Sequence, residues 1–420
     1  MKSLRKVTLS VLAVLFVVVG SAFAGGQKEA ATPSAGGPVT LSWFMWTGSQ
    51  EEATAWKELA ANVTKMYPNI QIKFDTDSWT GYWSKLQIEI ASGTTQDIIS
   101  LQSLRTIGYG SGFRSLDSYI ANDPTIKIDQ FDKTILDNLK YEGHQIALPY
   151  DYGPLVVFYN KNLFDKYHVP YPSVGWTFAD FMNDLKALSQ GNDYGYVFSS
   201  YVDFWVPFVL SNGGRYLDQN GKYKLTDPAT IQAFQMMADA VKSHYAPPMV
   251  ATGDTNWAQE QWLAGNVAMH DNGPWQIINF ATTANFKMGI ATVPAGPAGS
   301  ITISAGSGFG VSKTTKYPEE AFKAVSVLTD AQSLKTLALA GRAFPARVPE
   351  QPFYFQAKGV DPNFRPILDF ANAHTVPYTI TTTWQQANDV LFKGLIPILN
   401  GQTPVAQGLA QLEQQLSSLQ

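Results

Sequence analysis

A chain of 420 residues with 45% hydrophobic and 15% charged residues is too long for one comfortable core and too apolar to stay unfolded, so two domains of ordinary size are expected. Its formal net charge of −4, with no basic run and no Lys or Arg interleaved among the Trp residues, argues against nucleic acid or an anionic membrane surface as partner. The absence of Cys excludes disulfides and thiolate metal sites, which leaves 13% aromatic residues, 11 of them Trp, as the compositional feature to be explained.

The N-terminus has the form of a targeting segment. Lys2, Arg5 and Lys6 precede an apolar run over 11–19, and Ala22-Phe23-Ala24 supplies the small-x-small pattern of a signal-peptidase site. A cleavable signal peptide is expected over 1–24, since the run falls short of the roughly 20 apolar residues that a span requires. Residues 25–38, small, polar and rich in Pro and Gly, read as a flexible tether. With no Cys available for a lipid anchor, the mature chain is expected to be periplasmic or extracellular.

Strands then alternate with helices, the pattern of an α/β fold in which helices cover a mainly parallel sheet. A strand is expected over 39–44. Ser49 and Glu52 have capping-box spacing before a helix faced by Trp56, Leu59 and Val63 and stopped near Pro68. Strands over 70–74 and 98–101 flank a helix that ends at Gly93, giving a β-α-β-α-β unit. In such sheets ligands sit beyond the carboxyl ends of strands, where Trp46 and Gln102 fall.

The stretch 146–164 places two apolar runs around Asp151, Tyr152, Gly153 and Pro154, residues with the punctuation of an exposed turn. It suggests a crossing between domains. A carboxylate between buried segments is costly unless a partner meets it, and a polar ligand is one such partner. Thr177 and Asp180 again have capping spacing, Asn220-Gly221 signals a hairpin turn, and Asp227-Pro228 opens a helix. A strand over 287–293 followed by a Pro/Gly loop marks a second crossing. A strand over 301–304 then runs into a glycine turn, 306–310, and a helix follows from Pro318. The closing helix carries Val405, Leu409, Leu412, Leu416 and Leu419 as a core stripe.

Motifs for chemistry are absent. The GxGxG of 306–310 lacks both dinucleotide and phosphate-loop spacing, no GxSxG occurs, and the five His residues are scattered without metal-site spacing, so neither cofactor nor metal is expected. Asp151, Asp203 and Asp271 each lie beside aromatics. Acid beside aromatic suits a neutral sugar, whose C–H face is apolar and whose rim of hydroxyls requires fixed acceptors. Covering one sugar face of ~60 Å² with an indole is worth about 1.5 kcal/mol. Trp43, Trp56, Trp83, Trp257 and Trp262 sit in strand or helix patterns and are assigned to cores. Trp46, Trp79, Trp205, Trp275 and Trp384 sit at loop or helix-start positions and are assigned to function.

At these residues the chain resembles the family 1 extracellular solute-binding proteins of ABC importers, the group of maltose-binding protein. The matching pieces are the opening strand with Trp43 and Trp46; the run from Trp79 through Ala91-Ser92-Gly93 to Asp97; Ala147-Leu148-Pro149-Tyr150; and Tyr159-Asn160-Lys161-Asn162-Leu163-Phe164. Later come Gly265-Asn266-Val267-Ala268-Met269 with Gly273-Pro274-Trp275, the glycines before Ser312-Lys313, and Leu399-Asn400-Gly401. Gln96 stands where the family usually has Pro. The resemblance implies two α/β lobes joined by hinge strands: an N-terminal lobe of 39–149 and 296–345, and a C-terminal lobe of 150–295 and 346–420. It implies a ligand between them, touched by Trp46, Gln50, Trp79, Gln102, Gly306 and Ser307 of the first lobe. Asp151, Tyr152, Trp205, Asp271, Trp275 and Trp384 would touch it from the second.

The expected function is therefore capture of a carbohydrate, an oligosaccharide in preference to a charged solute because Arg and Lys are sparse near the expected cleft. The protein would act as a monomer, close on its ligand by a hinge, deliver it to importer membrane subunits, and catalyse nothing. A sugar phosphate or uronate is the near alternative, with Arg342 and Arg347 as its partners. The alternatives from other classes are a secreted glycoside hydrolase using Asp151 and Asp271 and a surface adhesin.

Overall fold

Two sheets, each covered by helices, organise the chain. The structure, a computed structural model, describes residues 37–47, 50–250, 256–376 and 381–420, the side chains of Gln50 and Glu51 excepted. The expected leader, most of the expected tether and the cap at Ser49 lie outside the described residues.

Its strands are β1 (Val39–Trp46), β2 (Ile70–Asp77), β3 (Ile98–Gln102), a small hairpin of β4 (Lys140–Tyr141) and β5 (His144–Gln145), β6 (Ala147–Pro154), β7 (Val156–Asn160), β8 (Tyr194–Tyr196), β9 (Val267–Asn272), β10 (Met288–Ala291), β11 (Thr302–Val311) and β12 (Thr375–Val376). The larger sheet has the order β12-β11-β3-β1-β2, with β6 also paired to β11. The smaller has the order β10-β7-β9-β8. In the first, β1 runs parallel to β2 and β3, as the β-α-β-α-β reading predicts. The helix between β2 and β3 (Trp79–Ser92) is capped by Ser78, whose Oγ accepts from Gly81 N, and stops at Gly93, whose φ of 69° suits a residue without Cβ.

The smaller sheet is less parallel than expected. Only β8 and β9 run parallel, and β7 lies antiparallel to both β9 and β10. The reason is connectivity. The chain enters this sheet through β6 into β7 and leaves it from β10 into β11, so the entering and leaving strands point opposite ways.

The first crossing and the expected glycine turn differ from their expected form. Asp151, Tyr152, Gly153 and Pro154 are no exposed turn: β6 continues through them and is buried along its whole length. Its backbone is paired on both sides, with Tyr152 opposite Gly306 in β11, and with Tyr152 N donating to Phe344 O at 3.2 Å and Ala346 N to Tyr150 O at 3.1 Å on the other edge. Likewise 306–310 is no turn but the middle of β11. A Cβ on Gly306 would lie 2.5 Å from Asp151 O, and one on Gly308 2.6 Å from Leu148 O. The glycines are there to let β6 lie against β11, not to bend the chain.

Two apolar clusters fill the layers. One gathers Trp43, Trp56, Tyr150 and Phe309 under the larger sheet and continues through Phe158, Trp262 and Phe280 to Tyr354 and Leu368. The other joins Phe181, Trp205, Phe234 and Leu391 with the stripe of the closing helix (Val405–Ser417). The Thr177–Asp180 capping box forms as expected. Asp227 caps its helix through its backbone alone, its carbonyl accepting from Ile231 N at 2.9 Å, while its carboxylate lies 3.8 Å from Arg215.

Candidate functional site

The carboxyl ends of β1 and β3 build the first wall of a cleft. Trp46 ends β1, and its ring stands 5.1 Å from that of Trp79 and 5.3 Å from that of Trp83, with Trp79 and Trp83 edge to face at 5.3 Å. Onto this aromatic box is laid a residue the sequence reading did not select, Arg105. Its guanidinium carbon lies 5.0 Å from the Trp79 ring and 4.5 Å from the Trp83 ring. One amino group donates to Gln102 Oε1 and the other to the Tyr201 hydroxyl at 3.1 Å. Arg105 is only 3% exposed, yet it keeps its charge. Burial opposes the cation, but Tyr201 and Asp203 outweigh it and raise its pKa.

Tyr201 precedes the helix Val202–Ser211, which packs in the second cluster, so the bond from Arg105 ties the turn after β3 to that helix. Leu104, its neighbour, is buried in that same second cluster although it follows β3 of the larger sheet. The expectation that cations are sparse here is thus corrected. Arg105 lies three residues beyond Gln102, at the strand end that the fold already marks for ligands, and that proximity was the available signal.

At the hinge strands, Asp151 Oδ1 accepts from Ser307 N at 2.8 Å. Burial pushes the Asp151 carboxyl up to about 7, against the pull of Arg342 and of the Ser307 bond. Arg342 donates to Glu52 and lies over the Trp56 ring at 5.1 Å. Burial opposes its charge too, and Glu52, Tyr150 and Asp151 outweigh that and raise its pKa. Arg347, the other cation considered, binds Glu350, Gln130 and Ile126 O. The Tyr152 hydroxyl accepts from Gln351 Nε2 at 3.3 Å. The backbone donors expected of Gly306 and Ser307 are already engaged. Gly306 N donates to Ser103 Oγ at 3.4 Å and Ser307 N to Asp151.

The second wall centres on the end of β9. Asp271 Oδ1 accepts from the Tyr196 hydroxyl at 2.7 Å, while Oδ2 is buried without a hydrogen-bond partner. Burial pushes this carboxyl up to about 8, the Tyr196 bond only partly opposing it. His270 beside it is pushed down to about 3 by burial, and neither ring nitrogen has a hydrogen-bond partner. The 3.9 Å between His270 Nδ1 and Asp271 Oδ1 is therefore the approach of two neutral groups and no ion pair. Trp275 follows in the turn after Gly273-Pro274 and is half-buried.

Trp205 and Trp384 require correction. Trp205 is 1% exposed with its ring 4.9 Å from Phe234, and Trp384 is 3% exposed, 6.4 Å from Tyr216. Both belong to the second core. Their positions at helix starts concealed their phase. Val202, Trp205, Val206 and Val209 share one helical face, as do Trp384, Ala387, Asn388 and Leu391, and each face is buried. Gln50 begins the helix Gln50–Met66, and its side chain lies outside the described residues.

A pair of α/β lobes, each with its own sheet and joined by strands that pass between the two, is the architecture of a solute receptor. The chain belongs to the bacterial extracellular solute-binding protein family, whose model matches residues 58–349. It is 25% identical over 385 residues to a probable ABC transporter-binding protein of Deinococcus radiodurans, covering 87% of this chain and 89% of that one. It is 24% identical over 254 residues to a maltotriose-binding protein of Pyrococcus abyssi, covering 60% of this chain and 53% of that one. Among solved structures, the ABC substrate-binding protein Lmo0181 of Listeria monocytogenes in complex with cycloalternan superposes with a TM-score of 0.82 at 23% identity, over 91% of this chain and 98% of that one. Maltose-bound MalE3 of T. maritima superposes with a TM-score of 0.77 at 21% identity, over 91% and 100%.

Proposed function

We propose that this protein is the exported binding component of an ABC importer, capturing an oligosaccharide between its lobes and presenting it to the membrane subunits as a monomer, with no chemistry of its own. The observation that carries this reading is the second wall: a half-buried indole, Trp275, four residues after Asp271, whose carboxyl leaves Oδ2 without a hydrogen-bond partner within the protein. An apolar plate and an unsatisfied carboxyl fit a sugar's face and rim. The relatives add support, one being a maltotriose-binding protein and one neighbour holding cycloalternan.

The lobes comprise 39–149 with 296–345 and 150–295 with 346–420, and they close as a hinge because a ligand touches both walls only when they meet. Residues 1–24 direct export and are removed. The ligand-contacting set is Trp46, Gln102, Asp151, Tyr152, Asp271 and Trp275, with Gln50, whose side chain lies outside the described residues, as a further candidate.

Calorimetry and thermal shift across mono- and oligosaccharides test this reading: saturable heat and a raised melting temperature without release of products are expected, whereas turnover of any glycan would replace the receptor with a hydrolase. The alternative of an acidic sugar would need a carboxylate or phosphate oxygen to displace Gln102 or Tyr201 from Arg105, whose amino groups are both bonded. Uronates and sugar phosphates belong in the same panel, and preference for them over neutral homologues would select that reading.

A further inference from the structure

Arg105 and Leu104 do something that ligand capture does not by itself require: they join the two lobes directly. The turn that holds them, Ser103–Arg105, is fixed to the first lobe at several points. Gly306 N donates to Ser103 Oγ at 3.4 Å, and Thr106 Oγ1 donates to Asn138 O at 2.8 Å and to Ser103 O at 2.9 Å. The guanidinium is held flat by the Trp79 and Trp83 rings and by Gln102, so its remaining amino group points in one direction, toward the Tyr201 hydroxyl 3.1 Å away. Beside it Leu104, 2% exposed, is buried in the second apolar cluster, which joins Val202, Trp205 and Val209 of the helix after Tyr201 to Ile303 and Ala305 of β11. The hydrogen bond from a charged group in a dry site is lost if the helix that follows Tyr201 moves away from the Ser103–Arg105 turn, and Leu104 loses its packing against that helix with it.

We propose that the Ser103–Arg105 turn is a cross-cleft latch, contributing closing free energy from protein–protein contact alone, with Trp79 and Trp83 as positioning residues for the guanidinium. The latch sets how much of the closing a ligand must drive, and so scales affinity for every ligand alike. This inference rests on the two-lobe closing motion proposed above. It assigns Trp79 to the cation where the sequence had assigned it to a sugar.

The test exploits the absence of Cys. Spin labels at Lys73→Cys and Lys186→Cys, exposed positions on the two lobes, report the inter-lobe distance by pulsed electron resonance, with and without 10 mM maltotriose or mannotriose. Tyr201→Phe, which deletes one oxygen, is expected to lower the closed-to-open ratio about ten-fold, the size of a hydrogen bond to a charged group. Arg105→Met, which keeps the stack, should lower it as far, and the double variant no further than either alone. Leu104→Ala should lower it independently. Melting curves identify any variant that has lost its fold, in which case Tyr201→Phe decides.

If saccharide shifts the distances of the parent protein but Tyr201→Phe and Arg105→Met leave its distribution unchanged, the latch is overturned and the receptor stands. If no saccharide shifts them and Tyr201→Phe still widens the distribution, the latch stands and the carbohydrate reading falls.

Discussion

The two walls handle their polar groups differently. On the first, indoles and a cation have been assembled into a rigid unit: Trp79 packs edge to face on Trp46 and Trp83, and Arg105 lies on two of these rings with both amino groups bonded, leaving its Nε and the Trp83 Nε1 as buried donors without partners. On the second, polar atoms are left over. Asp271 Oδ2 and both nitrogens of His270 are buried without hydrogen-bond partners. Buried polar atoms without partners are costly; those of the first wall are N–H groups that only donate, whereas those of the second belong to a carboxyl and an imidazole, which can pair with a ligand's hydroxyls either way. The first wall supplies shape and a closing contact.

The largest effect should come from the indole that sits behind the second wall and not on it. Trp205→Ala is expected to cost about 3–5 kcal/mol of stability, the range for emptying a large aromatic from a core. Denaturant melts would show it, while affinity per folded molecule stays near that of the parent. A selective loss of affinity instead would return Trp205 to the site.

The second wall also predicts a pH dependence. Burial raises the Asp271 carboxyl from 3.8 to about 8, so the folded form holds a proton that the unfolded chain releases above its ordinary value. Stability from this group is full at low pH and is lost as pH rises toward 8. His270 acts with the opposite sign, its neutral folded form being penalised only as pH falls below its ordinary 6.5. Between pH 6.5 and 8 the carboxyl therefore acts alone of the two, with Asp151 adding its share up to about 7. The melting free energy should fall by up to about 2 kcal/mol over that interval, at roughly 1.4 kcal/mol per pH unit for one proton. Asp271→Asn should remove most of the decline, since the amide oxygen still accepts from Tyr196. A decline unaltered by the substitution would place the proton elsewhere.

These contrasts mark where sequence suffices. The β-α-β-α-β unit and the stop of its second helix at Gly93 were legible because hydrophobic period and helix-ending glycine act locally, and so was the Thr177–Asp180 capping box. The glycines at 306, 308 and 310 were misread because a close approach by another strand and a turn both call for a missing Cβ, and only the partner distinguishes them. Trp205 and Trp384 were misread because a helix start fixes no phase until its neighbours are placed. Arg105 was passed over because a cation that lies on indoles more than twenty residues away leaves no periodic trace.

Trp275→Ala should weaken the preferred oligosaccharide by about 1.5 kcal/mol, the worth of one covered sugar face. Calorimetry would show it with little change in melting temperature, because this ring is half-exposed and contributes little to the core. If stability falls with affinity unchanged, the ring is structural and the second wall loses its plate.

The smallest effect is the most discriminating. Trp79→Leu removes one of the two rings under Arg105, and a cation–π contact of this kind is worth about 0.5–1 kcal/mol. Were Trp79 a sugar platform like Trp275, its loss would be larger and would be the same whether or not Arg105 is present. As a support for the guanidinium, its loss should be confined to about 1 kcal/mol and should vanish in an Arg105→Met background, where no cation remains to position. Measuring affinity in the four combinations therefore asks directly whether the first wall presents its indoles to the ligand or keeps them for its own cation. Additive losses would make the two walls alike and end the contrast drawn between them.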